Sequence, residues 1–370
     1  MRVLYIIHEA TISGAPMQML RIIRNLKAQR SDLHQDILLI YGGSALQEEF
    51  RKSAENFYIL NTYSSSIRTK IKQRISHKRL MEQHYDIIVA NTVVALAPGI
   101  EMKAHFHAPL VFYLRESEYS FRIYDGFERD LAQCDRIVTV SDLVKSILIQ
   151  KYQISPETVE VVHNFPSFKL DATSPNTPLP YDTAGRCIIG LSGEVCWRKG
   201  CDLLPILAAV YKKKYPGDKV LFVWTGNCAH GIRQQMEYDS DLSTVRDNIH
   251  LTGLIKDPLP YYRSFDIFLI LSREESFGNV VAEAAMIGKP VVGFDDCVGA
   301  VELLKQGNAC LSVPYLDIDG MADALHILYS SPQRRQELGQ GAKTWIESRL
   351  DDNRSTEQFL RVLESVKKRP

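Results

Sequence analysis

The sequence predicts an α/β protein made of two Rossmann-like, doubly wound domains that face a central cleft. Short apolar runs alternate with longer helical patterns along the chain, as they do in parallel sheets built from βα units. The chain has 370 residues, which is too many for one ordinary core. Residues 169–183, rich in Pro, Thr, Asp and Ser, separate two series of apolar runs and are typical of a linker. Open sheets of this kind bind ligands beyond the carboxyl ends of their strands.

The apolar runs have the length and composition of buried strands. In the first series the predicted strands are residues 3–7, 37–41, 87–90, 110–113, 136–140 and 159–162. In the second series they are residues 187–191, 220–225, 249–252, 267–271, 290–293 and 310–313. The predicted boundaries are a first domain over 1–168, the linker over 169–183, a second domain over 184–350 and a C-terminal helix over 351–370.

Composition excludes several classes of protein. Hydrophobic residues make up 45% of the chain, as in globular proteins. No apolar run reaches the roughly eighteen residues that a membrane-spanning helix needs. The first apolar run is too short for a signal peptide and is predicted to be the first buried strand. The formal net charge is zero, so nucleic acid is not expected as a partner.

Cysteine and histidine usage favours a reducing compartment without a metal site. The seven cysteines include no Cys-x-x-Cys pair, which favours free thiols. His105 and His107 have no carboxylate or thiol at metal-ligand spacing. We therefore expect a cytoplasmic protein that binds neither a metal nor a cofactor.

Two carboxylates eight residues apart are the most informative motif. Glu275 lies on a predicted strand-to-helix loop, and Glu283 lies about one turn inside the following helix. Between them, the backbone N–H groups of Asn279, Val280 and Val281 are predicted to be free at the helix start, where they favour an anion. The motif therefore suits a ligand with hydroxyl groups at two ends and phosphate between them. The alternative is a pair of solvated acids that flank a helix.

With its flanking Ser-Phe-Gly and Gly-Lys-Pro-Val-Val segments, this Glu-x7-Glu motif resembles the signature of retaining glycosyltransferases of family four, which have the GT-B fold. The resemblance covers nearly the whole chain. It implies that Glu275 contacts hydroxyls of a donor sugar and that Glu283 binds the ribose of a nucleoside diphosphate. The diphosphate would lie against the backbone of residues 278–281. Phe277, Gly278, Asn279 and Val280 are expected to be donor-binding residues. The resemblance also implies that the C-terminal helix crosses back to the first domain.

A glycine turn with adjacent cations follows the first strand of the second domain. Gly193 begins this turn, and Arg198 and Lys199 lie near its end, a pattern that suits an anion. We expect the two cations to stabilise the charge of a departing phosphate and to act with Glu275 in catalysis. The family usually has an arginine where this chain has Glu194, so Arg198 replaces that cation or Glu194 weakens the phosphate site. The alternative is a solvated basic turn.

The first domain contributes two candidate loops. Gly14 and Ala15 follow the first strand, and Gly14 permits close approach by a ligand. The resemblance implies that this loop faces the donor phosphates. Arg115 and Glu116 follow the predicted strand 110–113, where the family often has a histidine near the sugar. A guanidinium cannot act as a base near neutral pH, so Arg115 would bind phosphate or an acidic acceptor, or form a surface ion pair with Glu116.

Four further positions take their roles from the resemblance alone. Gly226 is expected to face the nucleotide, and backbone groups of Leu254 and Ile255 are expected to bind the nucleobase. Glu302, on the helix after the Gly-Lys-Pro-Val-Val strand, is expected near the donor. None of these residues indicates which base is bound.

Residues 67–81 combine a narrow apolar stripe with a basic surround. The stripe is formed by Ile67, Ile71 and Ile75, at the spacing of one helix face. One interpretation is peripheral docking on an anionic membrane surface. The other is a helix packed on its own domain with a solvated basic face.

With the resemblance, the sequence predicts a retaining glycosyltransferase that transfers a hexosyl unit from a nucleoside-diphosphate sugar to a saccharide or lipid-linked saccharide, in synthesis of cell-envelope polysaccharide or glycoconjugate. The sugar nucleotide is a substrate, so no cofactor is expected. One alternative is a sugar-nucleotide epimerase or hydrolase with the same pocket. Another is a degenerate homologue that binds without transfer, which Glu194 and Arg115 allow. A glycoside hydrolase is not favoured, because its two carboxylates would flank one sugar ring.

Overall fold

The structure is a computed structural model of the chain. It describes residues 1–61, 67–166, 179–183 and 185–367, without the side chains of residues 67–72. The chain forms two compact units: unit 1 comprises Met1–Phe165 and Leu350–Pro370, and unit 2 comprises Pro166–Arg349. Most of the predicted linker, residues 169–178, lies outside the described residues.

In unit 1, the described residues form a seven-stranded parallel sheet in the order β3-β2-β1-β4-β5-β6-β7. Its strands are Arg2–Glu9 (β1), His34–Tyr41 (β2), Phe57–Asn61 (β3), Ile87–Asn91 (β4), Leu110–Leu114 (β5), Arg136–Thr139 (β6) and Val159–Val161 (β7). Its helices are Gly14–Gln29 (α1), Gln47–Ser53 (α2), Ile67–Met81 (α3), Leu96–Phe106 (α4), Glu118–Arg122 (α5), Phe127–Leu131 (α6) and Asp142–Tyr152 (α7). Every residue of β4 and β5 is buried, so both faces of the sheet centre are covered, as expected for parallel strands between helices.

In unit 2, the described residues form a six-stranded parallel sheet in the order β10-β9-β8-β11-β12-β13. Its strands are Cys187–Ser192 (β8), Val220–Thr225 (β9), Ile249–Gly253 (β10), Ile267–Ile270 (β11), Val291–Phe294 (β12) and Leu311–Val313 (β13). Its helices are Leu203–Lys214 (α8), His230–Leu242 (α9), Leu259–Ser264 (α10), Asn279–Met286 (α11), Gly299–Lys305 (α12), Ile318–Ser330 (α13) and Pro332–Arg349 (α14). The strand order reverses between β8 and β11, and such a reversal is where open α/β sheets bind ligands.

The last helix, Asp352–Val366 (α15), belongs to unit 1 and packs on α1. The side chain of Asp351 caps it by accepting a hydrogen bond from the N–H of Arg354 at 2.9 Å. Phe359 on its buried face stacks on Tyr113 of β5, with ring centroids 5.2 Å apart. An ion pair of 2.6 Å between Arg30 Nη1 and Glu364 Oε1 joins the far end of the helix to the end of α1.

The two parallel sheets confirm the predicted doubly wound α/β class, and twelve of the strands match predicted apolar runs to within a few residues. Strand β3 was not predicted. Its apolar run is short, and the strand lies at the edge of its sheet with one buried residue, Tyr58. An edge strand that is half solvated lacks the continuous apolar pattern of a central strand.

Helix α3 covers the basic segment 67–81 and contacts β3. The side-chain amide of Gln73 lies 3.4 Å from the carbonyl of Leu60, and Leu80 is buried. Ile75 is half exposed, and Arg74 and Lys78 are exposed. Across the described ranges, none of the helices combines the length and the apolar character that crossing a bilayer requires.

Candidate functional site

The candidate site lies in unit 2, in the loops that follow the neighbouring strands β8 and β11. The two strands pair in parallel, with Ile189 opposite Ile267, so the loops leave the sheet side by side. Gly200 in the first loop has φ 79°, and a Cβ there would lie 2.3 Å from the carbonyl oxygen of Leu271 in the second loop. A glycine is therefore required for the first loop to pack on the second.

The two loops bring Arg198, Lys199 and Glu275 together. Arg198 Nη1 lies 3.0 Å from Oε1 of Glu275, and Nζ of Lys199 contacts the same oxygen. Ser272 Oγ donates to it at 3.2 Å. The side chains of Lys199 and Glu275 are each 11% exposed, against 38% for Arg198. Burial alone would raise the pKa of Glu275, but Lys199 and Arg198 hold this pKa below the ordinary value of a glutamate.

This cluster overturns two alternatives from the sequence. Glu275 and Glu283 are both buried, so they are not solvated acids flanking a helix. Lys199 is buried against Glu275, so the segment is not a solvated basic turn. Both cations contact Glu275, because a buried carboxylate is stable only beside opposite charge. Their role toward a phosphate stays a prediction. Glu194, on the same loop, is exposed.

Glu283 occupies a second buried polar position on α11. Oε2 of Glu283 lies 3.4 Å from the hydroxyl of Tyr262, which donates to Ser192 Oγ at 2.7 Å. Burial raises the pKa of Tyr262 well above the ordinary value for tyrosine, and the nearby Glu283 raises it further. Tyr262 therefore links Glu283 to the end of β8. Tyr262 had no predicted role, and the structure places it on the buried side of the short helix α10.

The start of α11 differs from its prediction in one respect. The helix begins at Asn279, with Gly278 before it at φ 89° and Phe277 buried. The N–H of Val281 was predicted to be free, but it donates to the carbonyl of Gly278 at 2.9 Å. A tight first turn uses this donor, so an anion at the helix start would meet Asn279 and Val280 first.

Gly193 and Gly226 lie in direct contact at the ends of β8 and β9. Gly226 has φ 152°, and a Cβ there would lie 1.9 Å from the carbonyl oxygen of Gly193. The N–H of Gly226 donates to the carbonyl of Gly253 at 3.1 Å, immediately before Leu254 and Ile255. Close packing of the backbone explains Gly226 without a ligand. Leu254 is 80% exposed, and Ile255 is partly exposed.

Glu302, expected near the donor, lies on α12 and holds the preceding loop. Its Oε1 accepts from the N–H of Asp296 at 2.9 Å and pairs with Lys305 at 3.2 Å. Lys305 also pairs with Asp295 at 2.7 Å. These contacts give Glu302 a structural role at the end of β12.

The candidates of unit 1 lie at the carboxyl ends of its own strands. Gly14 is the exposed first residue of α1, and Ala15 is partly exposed behind it. Near the end of β1, His8 Nδ1 lies 3.1 Å from Oγ1 of Thr92, which follows the neighbouring strand β4. Burial lowers the pKa of His8 below its ordinary value, although Glu9 opposes this effect.

Arg115 and Glu116 do not form a surface ion pair, so that alternative is wrong. Arg115 is 7% exposed, and its guanidinium donates to the side-chain oxygens of Asn91 at 3.1 Å and Asn164 at 2.7 Å. The guanidinium also lies over the ring of Tyr113 at 3.7 Å. Glu116 instead accepts the N–H groups of Val93 and Arg115, both at 3.1 Å. Burial raises the pKa of Glu116 to about 7.

Two family models match the chain. Residues 13–165 match the model described as Glycosyltransferase Family 4, and residues 186–331 match the model described as Glycosyl transferases group 1. The first match lies in unit 1 and the second in unit 2.

Curated relatives are similar to parts of the chain. A D-inositol 3-phosphate glycosyltransferase of Saccharomonospora viridis is 26% identical over 254 residues, which are 64% of this chain and 57% of that protein. The capsular polysaccharide biosynthesis glycosyltransferase CapM of Staphylococcus aureus is 24% identical over 164 residues, or 44% and 42% of the two chains. The chain thus spans about half the length of the curated relatives it matches.

Solved structures share the fold over nearly the whole chain. The crystal structure of Anabaena Alr3699/HepE in complex with UDP has a TM-score of 0.79 and 19% identity, covering 99% of this chain and 100% of that one. The complex of the same protein with UDP and glucose has a TM-score of 0.78, with the same identity and coverage. At this identity the likeness shows the fold, and it confirms the predicted GT-B class. One half of the chain thus matches a Glycosyltransferase Family 4 domain and the other a Glycosyl transferases group 1 domain, and the chain as a whole has the GT-B fold.

Proposed function

We propose that the chain is a retaining hexosyltransferase that transfers a hexosyl unit from a nucleoside-diphosphate sugar to a saccharide or lipid-linked saccharide. The convergence of Arg198 and Lys199 on Glu275, beside the start of α11, carries the proposal. Two cations and a helix start provide fixed positive charge for a diphosphate. Glu275 supplies a carboxylate next to that charge, where it would accept hydrogen bonds from hydroxyls of the attached sugar.

In the proposed reaction, the bond between the anomeric carbon and the diphosphate oxygen breaks, and its electron pair stays on that oxygen. The acceptor hydroxyl oxygen bonds to the anomeric carbon from the same face, and its proton passes to the departing phosphate. The anomeric configuration is thereby retained without a protein base. Arg198 and Lys199 stabilise the charge on the leaving group, for which one preorganised donor is commonly worth about 3 kcal/mol of the barrier.

The second carboxylate is assigned to the other end of the donor. Glu283 is buried with Tyr262 and Ser192 near the end of β8, one helical turn inside α11. A ribose with two hydroxyls would donate to this carboxylate while the diphosphate lies against Asn279 and Val280. The backbone at Leu254 and Ile255, next to Gly253, is proposed to face the nucleobase.

Named relatives support the choice of substrates. The S. viridis relative is a D-inositol 3-phosphate glycosyltransferase, and the S. aureus relative serves capsular polysaccharide biosynthesis. The Anabaena protein binds UDP and glucose. We therefore propose UDP as the first nucleotide to test, and synthesis of envelope polysaccharide or glycoconjugate as the setting. The cations of the cluster supply the charge that a metal would otherwise provide, so no metal or cofactor is proposed.

Peripheral membrane contact through α3 is a separate proposal. The exposed Arg74, Lys78 and Arg79 form a basic surface beside the half-exposed Ile75, and each well-placed basic residue adds about 1 kcal/mol of attraction to an anionic bilayer. Changing these three basic residues to Glu should abolish sedimentation with anionic vesicles. Changing the exposed Lys212, Lys213 and Lys214 of α8 to Glu is the charge-matched control. Equal binding of the two variants would remove this proposal.

The proposed function is tested by supplying UDP, GDP, ADP and dTDP sugars with a saccharide acceptor and following both donor and product. Wild-type protein should form product, with EDTA present or absent, and Glu275→Ala should form none while its melting temperature shows a folded protein. Glu337→Ala, which changes an exposed carboxylate on α14, should retain transfer. Donor turnover without acceptor would favour the epimerase or hydrolase alternative. Donor binding without any transfer would favour the degenerate homologue.

A further inference from the structure

Arg273 joins the two loops of the candidate site by its side chain. Its Nη1 donates to the carbonyl of Trp197 at 2.6 Å and to Oδ1 of Asp202 at 2.9 Å, and its Nη2 donates to Oδ2 of Asp202 at 2.7 Å. The Arg273 side chain is 12% exposed, against 44% for Asp202. A bidentate pair of this kind fixes both the distance and the orientation of its partners.

The backbone and the aromatic contact of Arg273 act on the same loop. Its N–H donates to the carbonyl of Arg198 at 2.8 Å, and its guanidinium lies over the ring of Trp197 at 4.5 Å. Arg273 therefore contacts residues on both sides of Lys199. It lies two residues before Glu275 on the other loop. The segment that carries the cations is thus fixed to the segment that carries the carboxylate.

We propose that Arg273 is a positioning residue: it holds Arg198 and Lys199 at Glu275 and so sets the positive charge that meets the diphosphate. This inference rests on the proposed function. Arg273 itself needs no contact with donor or acceptor. Arg273 acts by fixing the conformation of residues 197–202, and this conformation positions the two cations.

The planar fork of an arginine is needed for this role. A lysine restores the charge but cannot engage both oxygens of Asp202 and the Trp197 carbonyl at once. Without the fork, Asp202 also loses its bidentate partner on the loop that carries the cations. A displacement of about 1 Å in a group that faces the reacting phosphate can cost about 100-fold in rate.

The test measures nucleoside diphosphate binding by calorimetry and transfer rates for Arg273→Met, Arg273→Lys and Asp202→Asn. The ligand is whichever of UDP, GDP, ADP and dTDP binds wild-type protein most tightly. Arg273→Met should weaken binding about tenfold and lower kcat about 100-fold, with little rescue by lysine. Arg335→Met is the matched control, because Arg335 Nη1 also donates to two carbonyls, those of Leu328 and Tyr329, within unit 2. It should change the melting temperature and leave binding intact.

A combined variant separates positioning from general stability. If Arg273 acts through the two cations, adding Arg273→Met to the Arg198→Met/Lys199→Met protein should weaken diphosphate binding little further. Losses that multiply, or normal binding and turnover in folded Arg273→Met, would overturn the inference. If Arg273→Met does not fold, Asp202→Asn removes the same bidentate pair and decides the question in the same way. A wild-type protein that binds none of the four nucleotides would overturn the proposed function, and this inference with it.

Discussion

Arg198 Nη1 lies 3.0 Å from the Glu275 carboxylate, on the oxygen that Lys199 also contacts. A carboxylate of the same site therefore offsets part of the positive charge that would meet a diphosphate. We expect a donor that brings its own negative charge to compete with Glu275 for these cations. Glu275 would then accept hydrogen bonds from the sugar, which would couple binding of the phosphate to orientation of the sugar.

Removing the charge of Glu275 should separate these two roles. Glu275→Gln should bind free nucleoside diphosphate about tenfold more tightly than wild-type, because the cations lose their competitor, and a factor of ten is about 1.4 kcal/mol. The same variant should lose transfer. Calorimetry with UDP, or with the nucleotide that wild-type prefers, measures the affinity. Glu337→Gln, which changes an exposed carboxylate on α14, is the control, and weaker binding by Glu275→Gln would contradict the competition.

The two cations should differ in importance. Lys199 is buried against Glu275, whereas Arg198 is more exposed, so Lys199→Met should lower kcat/KM by about 100- to 1,000-fold and Arg198→Met by less. Initial rates at varied donor concentration measure both effects. Lys305→Met, which removes a paired lysine outside the cluster, should leave kcat/KM near wild-type. Equal losses of kcat/KM in the Lys199 and Arg198 variants would contradict the expectation that the more buried cation contributes more.

The hydroxyl of Tyr262 should matter for nucleotide binding. Tyr262→Phe removes the hydrogen bond to Ser192 and the contact with Glu283, so we expect about 1 kcal/mol lower stability and several-fold weaker nucleotide binding. Thermal unfolding with and without nucleotide measures both. Tyr215→Phe is the control, because its hydroxyl bonds to Asp323 at 2.6 Å on another face of unit 2. An unchanged nucleotide affinity in Tyr262→Phe would contradict a role for Glu283 in binding the nucleotide.

Glu116 should make unit 1 less stable as pH rises. Its pKa is about 7 in the folded protein, because of burial, against an ordinary 4.5. The folded state thus keeps a proton that the unfolded state has released, and this contribution is full below pH 4.5 and lost as pH rises through about 7. Ionisation of Glu116 alone should lower the free energy of unfolding by up to about 3 kcal/mol over that range. Glu116→Gln should remove this dependence on pH. Urea unfolding at several pH values measures it, with exposed Glu128→Gln as the control. Identical slopes in wild-type and Glu116→Gln would contradict the shifted pKa.

Local pattern in the sequence predicts much of the fold and part of the site. Central strands such as β4 are continuous apolar runs because both of their faces are buried, whereas the half-solvated edge strand β3 carries no such signal. Glu275 and Glu283 could be predicted from the sequence because their spacing matches a loop followed by a helix. The use of the Val281 N–H in a tight first turn depends on backbone detail that spacing does not encode.

The remaining site residues depend on contacts between distant segments. The buried partners of Arg115 were not predicted, because Asn91 and Asn164 are 24 and 49 residues away along the chain. Tyr262 reaches Ser192 across 70 residues, and Arg273 reaches Asp202 across 71. Such pairs leave no periodic pattern within a helix or a strand, so they can be identified only in the folded structure.

The central claim is that the Arg198, Lys199 and Glu275 cluster binds a nucleoside-diphosphate sugar for transfer with retention. The most direct test is proton NMR of the reaction with the donor that wild-type protein turns over. The new glycosidic bond should have the anomeric configuration of the donor, and Glu275→Ala should give no product while Glu337→Ala does. Inverted product, or normal product formation by folded Glu275→Ala, would contradict it.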